Sequence, residues 1–376
     1  MVAGGTALGR LADGRRALIR GALPGEVVRA RLTRQQKGVV HADIEEVLEP
    51  APERVEPPCP MVAAGCGGCD WQHIDETAQP RFKRDIVVDA LAHIGRLADA
   101  PVDVPVALRA RKYRTTIRGV ATADGMLGLH RTRSHEPVPI RGCLIAHPRL
   151  RDVIDSETFT PGREVTLRVA TDGTVGRDAD TVRMRVHSVD LEVPVRSFFQ
   201  PHADAPARLA ELVRDALGDV DTTTRRLADL YCGVGLFAAT VPAASVVAVE
   251  RDRAASAAAK RNLGAHARVI TQPVERADIG PADVVVADPS RTGLGRAGVD
   301  TIARTNAALV ALVSCDPASF ARDARLLTDA GYELERAVPV DQFGNTSHIE
   351  VVGRFARQPG ALRRARPTAS RARRPR

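Results

Sequence analysis

Apolar residues run without polar interruption over Ala307-Ala-Leu-Val-Ala-Leu-Val313 and stop at Ser314-Cys315-Asp316-Pro317. A run of that length without alternation predicts a central parallel strand covered on both faces. Pro317 cannot continue a strand ladder and predicts a turn. Ser319 then opens a helical period with Phe320, Ala324, Leu326 and Leu327 on one face. The same alternation fills the chain from about residue 196: strands are predicted at Arg226–Leu230, Ser245–Val249 and Ala282–Ala287, with a helix opening at Leu236. Two β-rich stretches, Glu333–Val340 and Ser347–Phe355, predict a closing hairpin. Strands alternating with helices imply an α/β, doubly wound sheet, whose ligands gather at the carboxyl ends of the strands. Tyr231, Glu250, Asp288 and Cys315 all fall there.

The earlier chain reads differently. Short apolar stretches punctuated by Gly9, Gly14, Gly21, Gly25 and Gly38 predict a small β module over 1–55, a five-stranded barrel of OB type that carries RNA or single strands. Arg29, Arg31, Arg34 and Lys37 are its candidate phosphate contacts. A proline-rich joint over 50–58 follows. Residues 80–97 predict an amphipathic helix that can pack on the catalytic region, with Ile86, Val87, Ala90, Leu91 and Ile94 inward and Arg81, Lys83, Arg84 and Asp85 outward. From Lys112 to Val195 the chain is β-rich, and Arg and Thr alternate with apolar residues so as to leave one face basic. The organisation expected is 1–55, 56–195, 196–357 and a basic tail, 358–376.

Composition refines this picture in two places. The chain of 376 residues carries a formal charge of +8, but seven arginines and no acid lie between Arg363 and Arg376, leaving the body nearly neutral. Such an arm points to nucleic acid, with a solubilising tail as the bland alternative. No signal pattern and no membrane-length apolar run is present, and six cysteines without a secretion signal imply reduced thiols or metal ligands, so a cytoplasmic protein is expected. Cys59, Cys66 and Cys69 fall within eleven residues, with Gly67-Gly68 between the last two, and Cys143 supplies a fourth thiol. Four thiolates suit a tetrahedral zinc ion or a four-iron cluster, and the residues alone do not choose. Their spacing is not the Cys-x3-Cys-x2-Cys of radical-generating clusters.

Gly233 and Gly235 let the loop after Leu230 pass close beneath a ligand, and Glu250 lies where a carboxylate reaches ribose hydroxyls. Position 238 is alanine, where a dinucleotide fingerprint has its third glycine; that favours S-adenosylmethionine over a pyrophosphate cofactor.

Together these motifs resemble the S-adenosylmethionine-dependent RNA uridine-5-methyltransferases, in the branch with an N-terminal TRAM domain and a [4Fe-4S] cluster. The resemblance spans nearly the whole chain except the tail. It rests on Cys66-Gly-Gly-Cys69 with Gln72-His73, Ser197-Phe-Phe-Gln200-Pro, Asp229-Leu-Tyr-Cys-Gly233, Asp288-Pro-Ser-Arg291, Ser314-Cys-Asp-Pro317 and Thr346-Ser-His-Ile-Glu350. It implies a Rossmann-like methyltransferase domain behind an OB-like TRAM barrel and a β-rich cluster-bearing domain. It implies that Gln200, Tyr231, Gly233, Glu250 and Asp288 hold the cofactor, that Cys315 is the nucleophile and Glu350 the base, and that Cys59, Cys66, Cys69 and Cys143 ligate the cluster. The implied substrate is a uridine in RNA, with 23S ribosomal RNA ahead of transfer RNA; a monomer without membrane attachment is expected.

Several positions depart from the family pattern. The first cluster spacing is six residues instead of five, Leu236 replaces an asparagine, Ser290 and Asp316 replace proline and asparagine, and Gly344 stands where proline is usual. Asp316 is expected to raise the Cys315 pKa by its adjacent charge. The competing readings are a non-catalytic RNA-binding protein on the same scaffold and an amino-methyltransferase. The first is opposed by the joint presence of Cys315, Glu350, Gln200 and Asp288, the second by Asp-Pro-Ser-Arg in place of Asn-Pro-Pro-Tyr.

Overall fold

The computed structural model describes residues 1–36, 38–218 and 223–359. Lys37 and the arginine arm lie outside them. Among the described residues four sheets organise the chain; the four- and five-stranded ones each bury an apolar set of their own, and the eight-stranded one buries a set on each face, one of them shared with a two-stranded hairpin.

The first sheet joins β1 (Ala7–Arg10), β2 (Arg16–Arg20), β3 (Val27–Gln36) and β4 (Val39–Glu49) in the order β1-β2-β4-β3. Four strands form where five were expected. Its core is small, built on Ala7, Ala17, Ile19, Val40 and Ala42, and it leans on its neighbours. Glu26 takes Leu23 N–H at 2.8 Å and Arg54 Nη2 at 2.8 Å, and Trp71 Nε1 donates to Gly5 O at 3.3 Å. Two of its candidate phosphate contacts are already paired: Arg29 with Glu46, and Arg31 with Glu45.

After a short helix α1 (Pro60–Ala63) comes α2 (Gln79–His93), shorter than the expected 80–97. Gly95 ends it: a Cβ there would meet Leu91 O at 2.8 Å and Ala321 O at 2.9 Å, so only glycine lets the chain pass so close. Ile94 is thereby exposed, not inward. Lys83, expected outward, is fully buried and pairs with Asp341 at 2.6 Å.

The strand β5 (Val106–Ala107) belongs to the large sheet, and β6 (Thr116–Ala121), β7 (Leu127–His130), β8 (Pro137–Pro139), β9 (Glu164–Val169) and β10 (Val175–Arg177) form a five-stranded one. A helix, α3 (Pro148–Ser156), covers it through Leu150 and Ile154. The hairpin β11 (Thr181–Val186) and β12 (Val189–Pro194) shows the expected alternation, with Arg183 and Arg185 exposed and Val182, Met184 and Val186 buried. β9 does not: Arg168 is buried, donates to Ser197 O at 2.6 Å and lies over the Phe199 ring.

The large sheet has eight strands, in the order β15-β14-β13-β16-β17-β19-β18-β5. Its parallel part comprises β13 (Arg226–Leu230), β14 (Ser245–Val249), β15 (Ala267–Ile270), β16 (Val284–Ala287) and β17 (Leu309–Ser314). The closing hairpin is β18 (Tyr332–Asp341) and β19 (Glu350–Arg357), with β19 antiparallel to β17. Helices α4 (Ala205–Leu217), α5 (Leu236–Thr240) and α6 (Arg253–Leu263) fill one face, and α2, α7 (Gly295–Thr305) and α8 (Pro317–Asp329) the other. This two-sided cover explains why the strands read as unbroken apolar runs. Pro317 is the first residue of α8, where its missing N–H costs nothing, and not part of a separate turn. No described helix is long and apolar enough to cross a membrane.

Candidate active site

Register places the side chains of Cys315 and Glu350 together. Ser314 pairs with Val351 and Leu312 with Gly353 across β17 and β19. Cys315, one residue beyond, therefore stands beside Glu350, one residue before Val351. Asp288 follows β16, the neighbour of β17 on its other side.

The charges of this corner are crowded. Burial, then the nearby Glu350 and Asp288, push the Cys315 thiol up to about 12, while the Arg291 guanidinium pulls it down. Asp316 is not among the causes. Its carboxylate is spent capping α8, accepting Ser319 N–H at 2.7 Å. The expectation that Asp316 raises the thiol is corrected: the rise comes from burial and from carboxylates distant in sequence. Glu350 is itself raised well above the usual carboxylate range, chiefly by burial and then by Asp288, and Asp288 is raised by burial. Groups so close cannot all ionise together. Among the described residues Arg291 is the positive charge that acts on both Cys315 and Glu350.

Two glutamines complete the corner. Gln342 Nε2 donates to Glu350 Oε2 at 2.6 Å and to Gln200 Oε1 at 3.2 Å. All three side chains are buried, and Glu350 Oε1 and Gln342 Oε1 have no partner among the described residues. Buried oxygens left so are rare and call for a partner the surrounding side chains do not supply. Sequence reasoning gave no role to Gln342 or Arg291; the second lay within a quoted motif, the first had no motif at all.

The other strand ends form a second group. Tyr231 takes a left-handed backbone, φ 63°, and its hydroxyl donates to Glu275 Oε1 at 3.3 Å. Glu250 accepts Gly233 N–H at 3.0 Å and Asp252 N–H at 2.7 Å, which fixes its carboxylate under the glycine loop. Gly233, φ 55°, has open space where a Cβ would stand. Asp229 lies beneath, wholly buried; burial raises its pKa to about 8, and its Oδ1 is unpartnered. Cys232 is a buried neighbour of this loop.

Cys59, Cys66, Cys69 and Cys143 line one cavity with apolar walls of Met61, Val62, Leu129, Ile140 and Ile145. None is in a disulfide. Glycine makes the cradle possible: a Cβ on Gly67 would meet His130 O at 2.7 Å, and one on Gly68 would meet Leu129 Cδ1 at 2.8 Å. Burial raises the Cys66, Cys69 and Cys143 thiols, while Arg114 draws all three down. Among the described residues no three Cys, His, Asp or Glu side chains close around one point as a single metal ion requires.

This site sits against the Glu350 loop. Asp70 Oδ1 accepts Ser347 N–H at 2.8 Å, and Trp71 N–H donates to Asn345 O at 3.0 Å. Gln79 Oε1 accepts Asn345 N–H at 2.7 Å.

The chain is 31% identical to an uncharacterized RNA methyltransferase of Streptomyces avermitilis, over 93% of this chain and 94% of the relative. It is 34% identical to an uncharacterized RNA methyltransferase of Caulobacter vibrioides, over 94% of this chain and 97% of that one. No family model matches it. Its fold is similar to that of the Pyrococcus abyssi tRNA (uracil-54, C5)-methyltransferase solved with S-adenosyl-L-homocysteine, with a TM-score of 0.70 and 22% identity over 93% of this chain and 100% of the other.

Proposed function

The chain belongs to the RNA methyltransferases, and from that premise we propose that it methylates carbon 5 of a uridine in RNA through a covalent adduct on Cys315. The observation that carries this reading is the pairing of β17 with β19, which sets a thiol beside a buried carboxyl at the end of a parallel sheet. An amino-methyltransferase has no use for that pair.

Carbon 5 of uracil is a weak nucleophile and needs covalent activation. The Cys315 thiol, which burial keeps protonated, gives up its proton to solvent, Arg291 favouring the thiolate, and bonds to carbon 6, while the electron pair of the 5,6 double bond moves onto carbon 5 and the adjoining carbonyl as an enolate. S-adenosylmethionine, when bound, supplies an electrophilic methyl group on its sulfonium. Glu350 then takes the proton from the methylated carbon 5. The double bond re-forms and the carbon–sulfur bond breaks, returning Cys315 as thiolate. A carboxyl raised by burial is a stronger base than one in water, which suits it to a carbon-bound proton. The target base leaves its stack to reach this corner.

Gln200, Tyr231, Gly233, Glu250 and Asp288 are assigned to the methyl donor; the fixed Glu250 carboxylate and the open space over Gly233 support that assignment. Cys59, Cys66, Cys69 and Cys143 are assigned to a [4Fe-4S] cluster. Four thiols lining one shared apolar cavity support a bound group there. The cluster's contribution is to cross-link segments distant in sequence. The RNA proposed is 23S ribosomal RNA, with transfer RNA, which the similar Pyrococcus abyssi enzyme methylates, as the alternative.

Nucleoside mass spectrometry tests the reaction: RNA incubated with the protein and methyl-labelled donor should yield labelled 5-methyluridine. Label on a base amine, or none, would overturn the reading. Mapping 5-methyluridine in ribosomal and transfer RNA from a strain lacking the protein then fixes the substrate.

A further inference from the structure

We infer that Gln342 is a positioning residue for this reaction, tying the Glu350 carboxylate to the side chain of Gln200 through one amide nitrogen. The inference rests on the proposed roles of Glu350 as base and Gln200 as donor-binding residue.

The geometry is specific. Gln342 is 0% exposed, Glu350 2% and Gln200 4%, so no water competes for these bonds. The Gln342 amide has two N–H groups, and two acceptors lie within reach, at 2.6 and 3.2 Å. Anchoring Gln200 by its oxygen leaves the Gln200 N–H groups as the end that can meet a ligand. Gln342 is also held on both sides. Lys83 Nζ bonds Asp341 Oδ1 at 2.6 Å and Phe343 O at 3.0 Å, gripping the residues before and after it.

A glutamine retained for packing alone would be expected to satisfy its own oxygen. Gln342 Oε1 is buried without a partner, as is Glu350 Oε1. An apolar side chain of similar length would avoid that cost, so the amide is retained at some expense of stability. What it secures is the direction of Glu350: with Oε2 fixed, Oε1 is the oxygen free to take the proton.

Among the described residues four groups act on Glu350 from the surrounding elements: Asp288 after β16, Cys315 after β17, Arg291 beyond Asp288, and Gln342 after β18. Asp288 raises its pKa; Arg291 and the Gln342 donor lower it. Removing the donor raises Glu350 further, so the base ionises at higher pH.

The test uses the full-length protein, RNA substrate and S-adenosylmethionine, and follows decay of the methylated protein–RNA adduct in a single turnover. Gln342→Met should fold, form the adduct and release it about ten- to a hundredfold more slowly, the range a hydrogen bond to a charged group spans. The rising limb of its decay rate should move to higher pH. Gln342→Asn keeps the amide but is too short to reach both partners, and should show the same slowing if Gln342→Met does not fold. Wild-type decay and pH profile in a folded Gln342 variant, beside a stalled Glu350→Gln, would overturn this inference alone. Absence of any adduct from Glu350→Gln would overturn the base assignment and this inference with it.

Discussion

Cys315 and Glu350 are neighbours because Ser314 pairs with Val351 across two antiparallel strands. Nothing in the mechanism requires them to act at the same moment, and the difference in timing can be measured. Cys315→Ala should give neither product nor covalent complex. Glu350→Gln should add to the base and accept the methyl group, then stall before elimination. A denaturing gel should show a slow RNA–protein band that needs S-adenosylmethionine and is absent from the Cys315→Ala, Glu350→Gln double variant. Normal turnover by Glu350→Gln would assign the base elsewhere.

The buried pair Lys83–Asp341 joins α2 to the end of β18, where the loop leading to Glu350 begins. Lys83→Met leaves Asp341 buried without its counter-ion and should cost about 3–5 kcal/mol. Replacing both, Lys83→Met with Asp341→Leu, should recover much of that. Urea titration of the two variants measures the difference; equal losses would show that the charge on Asp341 is not what suffers.

Asp229 makes stability fall with rising pH. Its native pKa of about 8 lies above its ordinary 3.8, so between those values the folded protein holds a proton that the unfolded chain has released. Folding is therefore penalised increasingly from about pH 4 to pH 8. Asp229→Asn can still accept Ala238 N–H, now made at 2.8 Å, and removes the penalty. Thermal midpoints should favour Asp229→Asn at pH 8 and converge with wild type near pH 4. A constant difference across that range would show that Asp229 does not titrate between them.

Protein purified without oxygen should be brown and contain iron and sulfide in equal amounts. Cys59→Ser should lose that colour and lose solubility before it loses any catalytic residue, because a cluster on Cys59, Cys66, Cys69 and Cys143 ties two segments distant in sequence together. A colourless, active, zinc-loaded protein would reject the cluster.

Deleting Arg363–Arg376 should flatten the dependence of RNA affinity on salt, since each phosphate contact releases counterions. Turnover at saturating RNA should hold. An unchanged slope would make the arm a bystander.

Local chemistry determined much of this protein from sequence alone. The parallel strands were written in apolar runs that only two-sided burial explains, the glycine loop after Leu230 in residues that tolerate positive φ, and three walls of the cysteine cavity in the closely spaced thiols and glycines of Cys59–Cys69, which the fold joins to the distant Cys143. These signals are readable because period, turn and spacing act over a few residues. The tertiary structure decided what depends on distant partners. Lys83 reads as an outward lysine on its own helix, and is inward only because Asp341 waits there. Asp316 reads as a charge beside Cys315 until the helix it caps claims its carboxylate. Gln342 belongs to no pattern, since its meaning lies in Glu350 and Gln200, brought to it by a strand register and by the chain after β12. Burial and pairing are properties of the assembled core, and no window of sequence contains them.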